Sequence, residues 1–359
     1  MNARIDQLAD WTARAAHLPT GPKVRPDNSK RLPMTEYDAV IVMFSGGKDS
    51  IACVLETMRV MREEGADLAK LELWHQCIDG NPEDEADHFM DWPVTETYCM
   101  RFAAEMGLPL LLQWKEGGFL REMERDNALT APSTFQMRDG STMTLGGVRG
   151  KLNTRRKFPQ VCADLAKRWC SAYLKIDVAA KAICNDPRFK GAKVLTITGE
   201  RWEESAGRAT YARVERDKGT CKTRRVDRWR PVLDWNEALI WRTLRDAGIN
   251  AHPCYDHGYN RASCATCIFG GSHEWATIKA LAPKRFSRIA AKELEYGCTI
   301  HRKMSVIEQA AKGAGFIIET EVPQARRRLM ERGFDGKVLI DPVEWMLPIG
   351  AFTKGAGPC

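Results

Sequence analysis

Two groups of residues have the types and spacing for chemistry. The first is Ser45-Gly46-Gly47-Lys48-Asp49-Ser50. Adjacent glycines let the backbone turn sharply and bring its N–H groups close to a ligand. Lys48 adds a cation at the same spot, and Ser45 and Ser50 add hydroxyls. Where such a turn opens a helix, unpaired N–H groups and the helix dipole together make an anion site. The spacing is not that of the common phosphate loop, which needs a glycine at Val42 and a Ser or Thr at Asp49. It is not the dinucleotide fingerprint either, because that motif separates its glycines. The second group is Cys254, Cys264 and Cys267, spaced C-x9-C-x2-C in a turn-rich stretch from Pro253 to Gly271. A C-x2-C turn can place two thiolates on one metal. Reduced, inert thiols are the alternative, although three so close together in an irregular loop are unlike core cysteines.

The elements that must position these groups are legible as periodicity. Ala39 to Phe44 is a short, β-branched apolar run, the pattern of a buried parallel strand, and the residues after Gly47 have amphipathic helical spacing. Leu71 to Ile78 reads as a second strand ending at Asp79-Gly80, Pro93 to Met106 as a helix, and Leu108 to Trp114 as a third strand. That order predicts an α/β, doubly wound, mostly parallel sheet. Residues 115 to about 160 break the pattern with repeated glycines and read as an irregular lid or surface insertion. Val161 to Asn185 is helical by spacing, Lys193 to Thr198 is a buried strand running into Gly199-Glu200-Arg201, and Asn236 to Ala247 is a helix. The expected division is an arm over 1–34 with one short helix from Ile5 to Ala16, a nucleotide-binding domain over 35–235, and a small, mainly helical region over 236–359 carrying the cysteine loop 253–271.

Composition narrows the partners. At 359 residues the chain can bury a large core. It has no long apolar run and no basic-then-apolar start, so the expectation is a cytoplasmic protein without a membrane partner. Its twelve cysteines then suit metal ligation better than a disulfide framework. The net charge of +7 is concentrated in Arg149 to Lys157, Lys222 to Arg230 and Arg326 to Arg328, which suits a polyanionic partner such as nucleic acid.

The Ser45–Ser50 segment resembles the pyrophosphate loop of the ATP-pyrophosphatase superfamily, and so does Gly-x-Arg-x-x-Glu-Ser-x-x-Arg from Gly199 to Arg208. Arg230-Pro231-Val232-Leu233-Asp234-Trp235 and His252-Pro253-Cys254-Tyr255 are similar to the phosphoadenylylsulfate reductase-like branch, which includes the ATP-using subunits of DNA phosphorothioation systems. The resemblance implies an adenine nucleotide alpha hydrolase-like fold. It implies nucleotide contacts from Ser45, Gly46, Gly47, Lys48, Asp49, Ser50, Asp79, Gly199 and Arg201, and catalytic roles for Lys48, Asp49, Arg201 and Arg208. Mg²⁺ would bridge the ATP phosphates. Activation of an acceptor by adenylation would precede sulfur incorporation, with DNA as acceptor, a donor such as a cysteine desulfurase, and a homo-oligomer left open. Cys170 would join Cys254, Cys264 and Cys267 around a [4Fe–4S] cluster; Zn²⁺ with His257 in place of Cys170 is the alternative. Two other functions stay open. One is a phosphoadenylylsulfate or adenylylsulfate reductase, although the Glu-Cys-Gly-(apolar)-His ending of the assimilatory enzymes is missing and Cys359 does not replace it. The other is a non-catalytic nucleotide-sensing subunit of a modification or defence complex.

Overall fold

A computed structural model of the chain describes residues 30–84, 88–162 and 164–353; the expected helix from Ile5 to Ala16 and Cys359 lie outside the described residues. The sheet is built outward from β1 (Ala39–Met43), whose first four residues are buried. β1 pairs in parallel with β2 (Leu71–Cys77) on one edge and with β6 (Lys193–Ile197) on the other. A strand flanked on both edges and covered on both faces has to be apolar throughout, which is why it reads as an unbroken run. β3 (Leu110–Lys115) extends the parallel set beyond β2, and β8 (Arg225–Trp229) extends it beyond β6. Antiparallel strands close both sides: β4 (Ser133–Gln136) and β5 (Thr142–Leu145) past β3, and β7 (Val214–Arg216) past β8. The order is β5-β4-β3-β2-β1-β6-β8-β7. The chain therefore winds one way from β1 to β3 and the other way from β6 to β8. The reversal falls between β1 and β6, so the loops leaving their carboxyl ends frame the crevice where open α/β sheets take ligands.

Alternate residues of β1 serve opposite faces. Val40 and Val42 pack into the larger core with the helices Lys48–Glu63, Thr95–Met106 and Glu237–Asp246. Ile41 faces the smaller core with Trp74, Leu111, Ile183 and Phe189. Four further helices, Ser272–Leu281, Pro283–Tyr296, Val306–Lys312 and Val322–Met330, contribute Trp275, Ile289, Val306 and Leu329 to the larger core. The helical C-terminal region is thus continuous with the hydrophobic interior of the sheet. No helix among the described residues is long and apolar enough to cross a membrane.

Two expectations need correcting. The stretch 115–160 is not simply irregular: it holds the helix Gly118–Met123 and the hairpin β4–β5, which joins the sheet edge. Its strands are short, and β5 alternates between exposed and half-buried positions, so neither has the apolar run of a central strand. The helix expected from Val161 starts only at Trp169, and its second segment, Ala172–Ile176, is π-helical before Asp177–Asn185 continues.

Gly118 shows how tightly the loops after β2 and β3 are fitted to each other. Its φ is +54°, and a Cβ there would overlap the carbonyl of Asp79 and the nitrogen of Gly80, while the next amide, Phe119 N, donates to Ile78 O at 2.9 Å. Gly118→Ala should destabilise the protein by about 2–4 kcal/mol in a denaturant melt. Gly140→Ala, at φ +85° with nothing within 4 Å, should cost only the left-handed backbone term of about 1–2 kcal/mol.

Candidate functional site

The glycine loop is closed by its own side chains. Ser50 Oγ donates to Gly47 O at 2.8 Å and lies 3.4 Å from Ser45 N. Gly46 sits at φ +75°, with Cys99 Sγ 2.9 Å from where a Cβ would stand, so both conformation and space require glycine. The following helix, Lys48–Glu63, has no side-chain cap at Gly47. Lys48 N instead donates to the Tyr255 hydroxyl at 3.1 Å, and Ala262 N donates to the same oxygen at 3.1 Å. Burial pushes the Tyr255 phenol up to about 12, which keeps it neutral in this role.

Lys48 is almost completely buried, with Nζ 3.2 Å from Asn260 O, 3.4 Å from Asp49 Oδ2 and 3.6 Å from Glu237 Oε1. Burial pulls its ammonium down, but the charges of Asp49, Tyr255 and Glu237 outweigh that pull and hold it above the usual lysine value. Asp49 shows the converse: burial would raise its carboxyl, yet Lys48 and Arg201 keep it below the ordinary range. Across the crevice Arg201 Nε donates to Asp49 Oδ1 at 2.5 Å and Nη1 to Glu203 Oε2 at 2.7 Å. Gly199 permits this approach, since a Cβ there would be 3.2 Å from the Asp49 carbonyl carbon. Together these residues line a cavity of about 540 Å³.

The structure thus gathers Ser45, Gly47, Lys48, Asp49, Ser50, Gly199, Arg201 and Arg208 around one pocket, with Gly46 in the loop behind it. Both arginine side chains already have carboxylate partners: Arg201 bridges Asp49 and Glu203, and Arg208 pairs with Glu204. Asp79 is placed elsewhere. Its carboxylate accepts from Met90 N at 3.0 Å and Asp91 N at 2.7 Å, so it ties down the loop after β2 and is not among the residues lining the pocket. Sequence reasoning passed over Glu200, Glu203, Glu237, Tyr255 and the Asn260 carbonyl. Tyr255 and Glu203 lie inside the segments that carry the resemblance; Asn260 left no local signal.

A smaller cavity of about 60 Å³ shares the wall formed by Met43, Ser45 and Ala262, and Lys175, Cys264, Asp91 and His75 line it. Burial pulls the Lys175 ammonium down, but Cys264, Cys170, Asp91 and Cys267 around it hold it above the usual lysine value. Burial and the neighbouring Cys267 push the Cys170 thiol up to about 11. Of these thiols, Cys264 lines the cavity. Cys254 is fully buried, with Asp256, Lys48 and Asp91 as its charged neighbours, and its thiol faces the Arg261 carbonyl at 3.8 Å. His257 has Arg328, Asp256 and Glu321 as its charged neighbours. Among the described residues no three His, Cys, Asp or Glu side chains stand at metal-holding spacing. The donors as placed therefore assemble neither the expected four-cysteine cage for [4Fe–4S] nor the Zn²⁺ set with His257.

Two outcomes test this site. Arg201→Lys keeps the charge but cannot span Asp49 and Glu203, and nucleotide affinity measured by calorimetry should fall about tenfold or more. Asp91 is raised to about 6 by burial and by the charge of Asp79. A raised acid contributes its stability below the unfolded value near 4 and loses it as pH climbs through 6. Asp91→Asn keeps the acceptor for Trp92 N, which lies 2.8 Å from Oδ1. The variant should gain about 1–3 kcal/mol over the parent at pH 7.5 and none at pH 4 in denaturant melts.

Residues 149–269 match the phosphoadenosine phosphosulfate reductase domain family, a segment that holds Arg201, Arg208 and the C-x2-C turn but not the glycine loop. An uncharacterized 37.8 kDa protein of Escherichia phage 186 is 31% identical over 137 residues, 38% of this chain and 39% of its own. Adenosine 5'-phosphosulfate reductases of Burkholderia cepacia and Neisseria meningitidis are 31% and 28% identical over 71 and 102 residues, 20% and 28% of this chain. The chain spans well under half of each relative, 27% and 37% for the two reductases. Among solved structures, yeast FAD synthetase in complex with FAD superposes with a TM-score of 0.39 at 12% identity, covering 90% of this chain and 98% of that one. Candida glabrata FMN adenylyltransferase with FMN and an ATP analogue gives 0.37 at 14%, over 72% and 71%. Residues 149–269 are thus similar to the phosphoadenosine phosphosulfate reductase domain, and the similarity to adenosine 5'-phosphosulfate reductases runs over shorter stretches of the chain.

Proposed function

We propose that the protein binds ATP with its terminal phosphates in the Ser45–Ser50 loop and splits it between the α and β phosphates, adenylating an acceptor oxygen for replacement by sulfur. The charge of the pocket carries this reading. Asp49, Glu200, Glu203, Glu204 and Glu237 line it against Lys48, Arg201, Arg208 and Arg261. With its carboxylates and cations nearly balanced, the pocket has no surplus positive charge for a polyphosphate, which would enter most favourably with a divalent cation, and Mg²⁺ takes hard oxygen ligands. Glu200 fits that need: its Oε2 is buried without a hydrogen bond, with only Arg230 Nε at 3.4 Å. Glu200 and Asp49 would hold the ion, which supplies charge neutralisation at the pyrophosphate as it leaves. Lys48 and the loop amides offset the same growing charge, and Tyr255 fixes the first turn of the helix so that those amides stay aimed. The acceptor we assign is DNA, with sulfur from a desulfurase-type donor; the motif resemblance to phosphorothioation subunits supports that choice. Because the cysteines do not form a four-ligand cage, no step is routed through a cluster.

The matches to adenosine 5'-phosphosulfate reductases favour a second reading, in which the same loop binds a sulfonucleotide and its sulfur is reduced. Product analysis separates the two. Wild-type protein with ATP, Mg²⁺ and nucleic acid should release pyrophosphate, and Lys48→Ala should lower that rate on the order of 100-fold while its melting curve still shows a cooperative fold. Sulfite release from a sulfonucleotide with a thiol reductant, and no pyrophosphate from ATP, would transfer the assignment to the reductase.

A further inference from the structure

We infer that the smaller cavity seats the incoming sulfur as hydrosulfide, held by His75 and Lys175 with no covalent bond to a cysteine; the inference rests on the sulfur-insertion reading above. At about 60 Å³ the cavity has room for a few heavy atoms and not for a nucleotide. His75, Lys175, Asp91 and Cys264 line it, and Phe44 and Ile78 give it an apolar wall.

The state of His75 defines what the cavity asks of a ligand. The side chain is buried, and its Nδ1 lies 2.9 Å from Phe44 O and 3.6 Å from Cys99 Sγ. A carbonyl only accepts, so Nδ1 carries the hydrogen and Nε2 keeps its lone pair. Nε2 is buried with no hydrogen-bond partner among the described residues. Burial pulls the imidazole down to about 4, which keeps the ring neutral, and the charge of Lys175 acts in the same direction. A buried acceptor with no donor is costly, and a ligand that brings a hydrogen relieves that cost. Lys175 asks for a negative charge in the same space.

Hydrosulfide brings both. Its polarisable sulfur suits the Phe44 ring, Ile78 and the Met43 thioether. Phosphate and sulfate fit poorly, because they bring several acceptor oxygens to a lone pair that needs a donor. Hydrogen sulfide entering the cavity leaves a proton on Asp91, whose carboxyl is raised to about 6, and stays as the anion beside Lys175. Met43, Ser45 and Ala262 line both this cavity and the larger pocket, so the sulfur lies against the loop assigned to the phosphates. The sulfur attacks the adenylated phosphorus of the acceptor; the P–S bond forms as the P–O bond to AMP breaks, and AMP leaves with the electron pair. The S–H proton passes to His75 Nε2 and on to water. No atom changes oxidation state, so the step needs neither a second thiol nor a reductant. Free sulfide and a desulfurase-type donor, whose persulfide yields hydrogen sulfide and a disulfide on reaction with a thiol, supply the same species.

The test is anaerobic calorimetry of sodium sulfide into the full chain, treated with a chelator and held without ATP. The parent should bind a single equivalent, and sodium chloride or phosphate at the same concentration should give no binding. His75→Asn places an amide N–H where Nδ1 meets Phe44 O and removes the lone pair at Nε2. Lys175→Gln removes the charge and keeps a polar chain. Each variant should bind sulfide about tenfold more weakly or worse, with ATP affinity unchanged and a cooperative melt; should His75→Asn fail to fold, Lys175→Gln alone decides. No sulfide binding by the parent, equal binding in the variants, binding only after iron or zinc is restored, or loss in Cys264→Ala with both other variants unaffected would overturn the inference. Because the titration contains no ATP, its outcome is separable from pyrophosphate release and hence from the ATP assignment.

Discussion

The site depends on a buried cation. Removing the Lys48 ammonium from water is tolerable only if opposite charge is brought to it. Asp49 and Glu237 provide that charge, and the Asn260 carbonyl takes a hydrogen bond. Asp49 in turn is shared with Arg201, which reaches back to Glu203. These residues come from the turn after β1, the loop after β6, the start of the helix Glu237–Asp246 and the cysteine loop. The network therefore fastens four distant parts of the chain at the carboxyl ends of β1 and β6. On the proposed reading, an entering phosphate has to share or displace these partners, which would couple binding to local rearrangement through the same ion pairs.

Tyr255 turns this electrostatic arrangement into a rigid one. Its hydroxyl accepts from the first amide of the phosphate-facing helix and from Ala262, three residues after the segment Tyr255–Tyr259 has turned. The C-terminal segment closes over it, with Gly350 N donating to Tyr255 O at 2.7 Å. The glycine loop and the cysteine-bearing loop are thereby a single wall with a cavity on each side. The larger pocket holds the carboxylates and Lys48, and the smaller cavity holds Lys175, Asp91 and Cys264.

Local chemistry was legible in the sequence wherever one short segment carries it whole. β1 has to be an apolar run because both edges and both faces are covered, and the turn after it needs Gly46 because of its positive φ and the Cys99 sulfur beside it. Gly199 and the residues through Arg208 were recognisable for the same reason: a strand end, a close approach and the side chains that use it are contiguous. For Asp79 a carboxylate at a strand end has two uses, facing a ligand or capping its own loop, and the structure shows it accepting from Met90 N and Asp91 N where the chain folds back.

The sequence by itself determined the parallel sheet, the glycine loop and the second loop opposite it, since strand burial and backbone turns are imposed over a few neighbouring residues. Only the tertiary structure decided which charges meet. Arginines crowded together in the chain are spent on nearby carboxylates, Arg225 on Asp227 and Arg228 on Asp217. Cys170, far upstream, has Cys267 as an electrostatic neighbour. The physical reason is that charge and thiol chemistry act over a few ångströms of space, and sequence spacing constrains that distance only within a single turn.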